Sequence, residues 1–331
     1  MKNNWKKILI GSGVLMGTIA VASAVSYAIT KKLVEIALDR NEDKITEVSK
    51  KHISGAPETS AFIKLRENAA EKLEGGFYDT VEIIAQDGIE LVGHWQFCKN
   101  AKRIIIAMHG WRSSWAKDFG LIADFFYDSD CHVLYVEQRG QNNSGGEYMG
   151  FGLTERYDCL EWINWVNAQR YGELPIYLYG VSMGASTVLM TAGFELPENV
   201  HGIIADCGFT SPYEIWKHVV ENNLGLYYDG MISSIADEMC REKIQFSSKD
   251  YSCSDAMKKC KVPVLFIHGT DDDFVPIEMT YENYKACVSP KKLLIIPGAG
   301  HGMSYMIDRK LYERTVIQFW ADFDQVIPKE K

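Results

Sequence analysis

No Cys-x-x-Cys pair and no cluster of Cys with His occurs in the 331 residues. A structural zinc site draws four ligands, usually as two close pairs, so no metal site is expected. The eight cysteines (98, 131, 159, 207, 240, 253, 260 and 287) are scattered, several of them in apolar runs where Cys behaves as a small hydrophobe. They read as mostly free thiols, which suits a reducing setting. Basic residues are also in deficit, 35 Lys and Arg against 44 Asp and Glu, a net charge of −9. Nucleic acid is therefore excluded as a partner, because phosphate binding wants a basic face. Internal repeats and low-complexity tracts are missing, which excludes solenoid and array architectures. What remains is an ordinary globular composition, 47% hydrophobic and 24% charged, long enough to bury a substantial core.

Residues 1–30 stand apart. Ile8 to Ile29 carries no charge, with Lys2, Lys6 and Lys7 before it and Lys31 and Lys32 after it. As a helix this run would span about 33 Å, matching a hydrocarbon core of about 30 Å. It is expected to be a transmembrane anchor. The alternative is a signal peptide cleaved near Ala24, since Ala22-Ser23-Ala24 fits a small-residue cleavage pattern. Lysines flank both ends, so the positive-inside rule hardly discriminates. A short head with three lysines favours an inside N-terminus and an extracytoplasmic catalytic domain, whereas free thiols pull the other way. Residues 31–76 alternate charged and apolar positions at helical spacing, giving a helical stalk or a packing element on the catalytic domain.

From Phe77 to the end at 331 the pattern changes. Tyr78 to Ala85, a turn at Asp87-Gly88, and Ile89 to Phe97 read as a β-hairpin. Six short apolar runs follow: 103–108, 132–136, 176–179, 202–205, 262–267 and 292–296. Helical intervals separate them, as at 153–168, 185–194, 278–287 and 303–323. Continuous apolar strands between helices imply a parallel sheet covered on both faces, hence an α/β fold. The interval from Pro212 to Lys261 is too long for a simple crossover and is rich in aromatics and Met, Trp216 and Tyr227 among them. A small helical cap over the active site, about 213–260, accounts for it, with an apolar or aromatic pocket suggested.

The chemistry starts at Gly180-Val181-Ser182-Met183-Gly184, after a strand run and before a helix. That context makes G-x-S-x-G a nucleophile elbow, with Gly180 and Gly184 leaving room for neighbouring backbone. A serine hydroxyl needs a base and something to orient that base. His301, in the glycine-rich loop Pro297–Gly302 after the last strand, is the candidate base. The acid follows the strand run 262–267, in His268-Gly269-Thr270-Asp271-Asp272-Asp273-Phe274-Val275-Pro276.

These residues resemble the α/β-hydrolase superfamily, in its esterase, acylglycerol-lipase and serine-aminopeptidase-like branch, over about residues 77 to 325. The likeness is nearest to membrane-anchored bacterial hydrolases of undefined substrate. It implies an eight-stranded, mostly parallel sheet. Matching H-G-x-x-D-x-x-V-P residue by residue puts the acid at Asp272, with Asp206 as the substitute position. It assigns the oxyanion hole to the backbone N–H groups of Met183 and of Trp111, in Met108-His109-Gly110-Trp111. Glu137 to Gly146 matches D-x-R-G-x-G-x-S-x-G, with Glu137 for the Asp and Asn142 for the second Gly, and a structural role for Arg139. Arg112 reads as a solvated side chain or a contact for a substrate carboxylate. The implied activity is hydrolysis of a small-molecule carboxylic ester through an acyl-serine intermediate, with no cofactor. A peptidase, thioesterase or acyltransferase on the same triad, or an inactive membrane-tethered binding module, are the rival readings.

Overall fold

Six-residue apolar runs such as Arg103–Met108 are too short for core helices and carry no polar face, so they pair as strands buried on both sides. The structure, a computed structural model, describes residues 23–40, 60–169, 173–228 and 230–324. Eight strands, β1 (Asp79–Ile84), β2 (Glu90–Gln96), β3 (Arg103–Met108), β4 (Cys131–Val136), β5 (Ile176–Val181), β6 (Val200–Asp206), β7 (Val264–Gly269) and β8 (Lys291–Ile296), form one sheet. Their order is β1-β2-β4-β3-β5-β6-β7-β8. The β1–β2 and β2–β4 pairs are antiparallel and all later pairs parallel.

Side-chain alternation divides the core in two. Ile104, Ile106 and Met108 of β3, with Ile176 and Leu178 of β5, face one apolar cluster. Ile105, Ala107, Tyr177 and Tyr179 face the other. Each face is covered by helices, so the buried backbone is satisfied within the sheet while both side-chain faces leave water.

In chain order the helices are α1 (residues 23–38), α2 (Ser60–Glu74), α3 (Trp115–Phe119), α4 (Ala123–Asp128), α5 (Glu155–Ala168) and α6 (Met183–Thr191). Then come α7 (Pro212–His218), α8 (Met231–Ile244), α9 (Cys253–Met257), α10 (Ile277–Ala286), α11 (Ser304–Ile307) and α12 (Arg309–Phe323). A π-helical turn, Val219–Asn223, extends α7. The helix expected over 303–323 is broken in two at Asp308, whose carboxylate caps α12 by accepting from Leu311 N–H (3.0 Å). The 50-residue interval after β6 holds α7, α8 and α9, and buries Trp216, Val220, Tyr228, Ala236 and Cys240. Tyr227, in contrast, is 72% exposed.

The transmembrane expectation falls mainly on residues 1–22, which lie outside the described residues. Among the described residues no helix is long and apolar enough to cross a membrane. The boundary expected near residue 30 is crossed by α1 without a break. Its buried positions Thr30, Val34 and Leu38 recur every four residues and dock on the catalytic domain, while Val25, Tyr27 and Ile29 are exposed. On the opposite side α2 buries Ala70 and Leu73. Its backbone runs so close to Gly120 that a Cβ there would lie 2.6 Å from the Ala69 carbonyl carbon.

Candidate active site

Parallel strands deliver their C-terminal ends to one edge of the sheet. There the register sets Met108 beside Gly180, Val181 beside Asp206, and Asp206 beside Ile267. Ser182 is the first residue past β5, and its N–H donates to the Asp206 carbonyl (2.9 Å). Its φ of 55° and ψ of −119° are a strained conformation for a residue with a Cβ. The surrounding glycines allow it. A Cβ on Gly180 would lie 2.2 Å from the Gly184 carbonyl oxygen, and one on Gly184 1.9 Å from that of Met108. Both obstacles are backbone. Gly184→Ala is therefore expected to destabilise the fold by about 3 kcal/mol or more, read by thermal unfolding; an unchanged melting temperature would contradict this packing.

His301 follows β8, and its ring bridges two elements. Nε2 lies 2.8 Å from Ser182 Oγ, and Nδ1 lies 2.8 Å from Asp272 Oδ2. Phe274 meets the ring edge-on at 4.9 Å between centroids. The Asp272 carboxylate is buried and further accepts from the N–H groups of Phe274 (3.0 Å) and Val275 (2.8 Å). Burial alone would raise that carboxyl. The charge and hydrogen bonds of His301 and His268 outweigh it and hold Asp272 well below the usual carboxylate range. For His301 burial pulls the imidazole down, but the Asp272 carboxylate prevails and keeps it well above its ordinary value. Burial pushes the neighbouring Cys207 thiol up to about 11, so it is neutral at pH 7 and adds no charge.

The other acids are placed elsewhere. Asp271 accepts from the Thr270 hydroxyl (2.7 Å), and the Asp273 carbonyl lies 3.3 Å from His218 Nε2. Asp206 is fully engaged by Ser304 (2.9 Å) and Tyr312 (3.1 Å). His268 is fixed between the Thr280 hydroxyl and the Val275 carbonyl. Among the described residues one group could hold a metal, Cys207, Asp272 and His301, with potential ligand atoms within 4.8 Å of one another. Asp272 Oδ2 and His301 Nδ1 already face each other there, and a hydrogen-bonded pair accounts for them without an ion.

Trp111 lies past the end of β3, whose Met108 pairs with Gly180 of β5, and Met183 opens α6 directly after Ser182. Gly110 makes the approach possible: a Cβ there would stand 3.3 Å from Ser182 Cβ. Its N–H donates to Asp118 (2.6 Å). Arg112 is half-buried and takes a left-handed φ of 51°. Its guanidinium donates to the carbonyls of Ile36 (2.7 Å) and Asp39 (2.6 Å) at the end of α1. Trp111 Nε1 donates to the Ala37 carbonyl (2.9 Å). Sequence reasoning missed this clamp, because backbone acceptors leave no mark on residue type.

The loop after β4 braces the same region. Arg139 is buried and forks onto Asp158, with a second bond to Asp87 (2.7 Å). Glu137 holds His94 (2.8 Å) and the Asn143 N–H (2.5 Å), and Asn142 takes the left-handed φ of 51° where the motif has Gly. All eight cysteines are buried and unpaired.

Known proteins align with this architecture. The model of the prolyl oligopeptidase family matches residues 117–324. An uncharacterised protein of Bacillus subtilis, YqkD, is 29% identical over 59% of this chain and 63% of its own. The lysophosphatidylserine lipase ABHD12 of Xenopus tropicalis is 26% identical over 49% of this chain and 40% of its own. The chain thus spans less than two thirds of these relatives' length. Among solved structures, the esterase Pf2001 of Pyrococcus furiosus superposes with a TM-score of 0.63 at 21% identity, covering 77% of this chain and 94% of that one. A fold with this strand order, a serine elbow at the sheet edge and a family match over most of the catalytic region lead to one assignment. The chain belongs to the prolyl oligopeptidase family, within the α/β-hydrolase superfamily of serine hydrolases.

Proposed function

We propose that the protein is a carboxylic ester hydrolase that works through an acyl-serine intermediate. The observation that carries this reading is the continuous relay from Ser182 Oγ to His301 Nε2 and from His301 Nδ1 to Asp272, 2.8 Å at each step. His301 takes the hydroxyl proton as Ser182 attacks the carbonyl, and later returns a proton to the leaving alcohol. Asp272 fixes the imidazole tautomer and stabilises the imidazolium. The N–H groups of Trp111 and Met183 receive the oxyanion. Water activated by His301 then releases the acid. Turnover of p-nitrophenyl esters set against aminoacyl amides and acyl thioesters tests the reading; faster amide or thioester cleavage would move it to a peptidase or thioesterase.

The base must be neutral to accept the proton. Its raised pKa places the acidic limb of the kcat/KM profile at a midpoint above the ordinary 6.5, with activity lost as pH falls through it. Asp272→Asn removes the charge responsible, so the midpoint of the residual activity moves down. A midpoint that stays put would deny Asp272 its part.

We also infer that the uncharged run Ile8–Ile29 anchors the protein in a membrane, with the catalytic domain extracytoplasmic. The exposed apolar residues Val25, Tyr27 and Ile29, on a helix whose far end packs into the catalytic domain, support it. The mass of the mature protein tests it, since loss of the first 24 residues would mean secretion after cleavage near Ala24.

A further inference from the structure

Beside Ser182 lies an apolar cavity whose walls come from three parts of the chain. Val34 and Ala37 of α1 form one side, Trp216 and Leu224 of the interval after β6 another, and Trp111 and Phe274 the inner end. The α1 wall is apolar throughout, because its single lining hydroxyl, Thr30 Oγ1, donates within the helix to Ser26 (2.7 Å). At the inner end, Trp111 neighbours Gly110 beside the Ser182 side chain, and Phe274 packs edge-on against the His301 ring. The inner end of the cavity is thus formed by residues that adjoin Ser182 and His301, and the cavity extends from there between α1 and the interval after β6.

We propose that this cavity binds the acyl chain of a fatty-acyl ester, and that α1, a segment that precedes the strand-and-helix alternation, supplies one wall of the site. The proposal rests on the ester-hydrolase reading. An aliphatic chain fits the lining because the walls are almost wholly apolar, with Trp216 Nε1 and the Tyr228 hydroxyl the buried polar atoms among them that lack a partner, and such walls reward chiefly removal of apolar surface from water. Each methylene buried there raises kcat/KM by about fourfold, so turnover climbs with chain length until the cavity is full. The clamp from Trp111 and Arg112 to the carbonyls of α1 keeps this wall in register with the reacting carbonyl.

The test uses the full chain and p-nitrophenyl esters from acetate to dodecanoate. Its readout is the ratio of kcat/KM for dodecanoate to that for acetate. Val34→Trp fills the cavity from the α1 side and is expected to lower the ratio tenfold or more. Leu224→Trp does so from the cap, at a partly exposed position that tolerates a larger side chain, and answers the question if Val34→Trp fails to fold. Lys31→Ala, on the outer face of α1, leaves the ratio at the wild-type value. Wild-type ratios in both tryptophan variants, with labelling by an ethyl fluorophosphonate intact, would overturn the proposal and spare the hydrolase reading. A wild-type protein that takes no label would sink both. Running the series on monomeric ester and on ester dissolved in phosphatidylcholine vesicles separates the sources. Faster turnover in vesicles assigns a bilayer lipid, faster turnover of monomer a soluble ester, and the tenfold loss is expected in either.

Discussion

Ser182→Ala is expected to lower ester hydrolysis by a factor on the order of 10⁴ to 10⁶ and to abolish fluorophosphonate labelling. The size follows from what is removed. Without Oγ there is no acyl-enzyme, and only binding and the oxyanion amides are left to speed attack by water. The fold should barely respond, because the substitution deletes one atom and one 2.8 Å hydrogen bond and opens no large cavity. Such a bond contributes about 1 kcal/mol, or a few degrees in melting temperature. Combining the substitution with His301→Ala should add almost nothing, since the two groups act as one unit. Retained label, or a rate loss below tenfold in a folded variant, would remove Ser182 from the mechanism.

The largest effect on stability is expected at Arg139→Met. Arg139 and Asp158 expose 7% and 2% of their side chains, so losing the guanidinium leaves a carboxylate with no partner in a dry site. Breaking a buried pair in this way costs about 3–5 kcal/mol, roughly 6–20 °C in melting temperature for a domain of this size. The link to Asp87, which is 49% exposed, contributes little. The sign of the pH dependence is fixed as well. Burial raises the Asp158 carboxyl, and with Arg139 gone nothing opposes it. A carboxyl whose folded pKa lies above its unfolded value loses stability as pH rises between the two, so the variant should be weaker at pH 8 than at pH 5.5. Arg139→Met with Asp158→Leu should recover most of the loss; urea titrations of the single and double variants measure the coupling. A single variant as stable as wild type would mean that the pair is not buried as described.

How far the sequence could be read depends on where each piece of information is held. Strands such as Val264–Gly269 were legible because apolar runs of strand length have few alternatives. The three adjacent aspartates at 271–273 were separable by motif spacing, and only the middle one has its carboxylate against His301. Tyr227 and Trp216 looked alike as cap aromatics, yet one is in solvent and the other lines the cavity. Nothing in residue type distinguishes them, since the direction in which a helix and its following turn face depends on what they pack against.

By itself the sequence determined the sheet, the elbow and the order Ser182, Asp272, His301. Each depends on local requirements: apolar strand runs, glycines where backbone crowds, and polar residues in the loops that follow. The tertiary structure alone decided that α1 forms a wall of the apolar cavity and clamps Trp111 and Arg112. Those contacts join residues more than 70 positions apart through main-chain carbonyls, which every residue carries alike. Only the packed fold brings one such carbonyl, rather than another, within 3 Å of a donor.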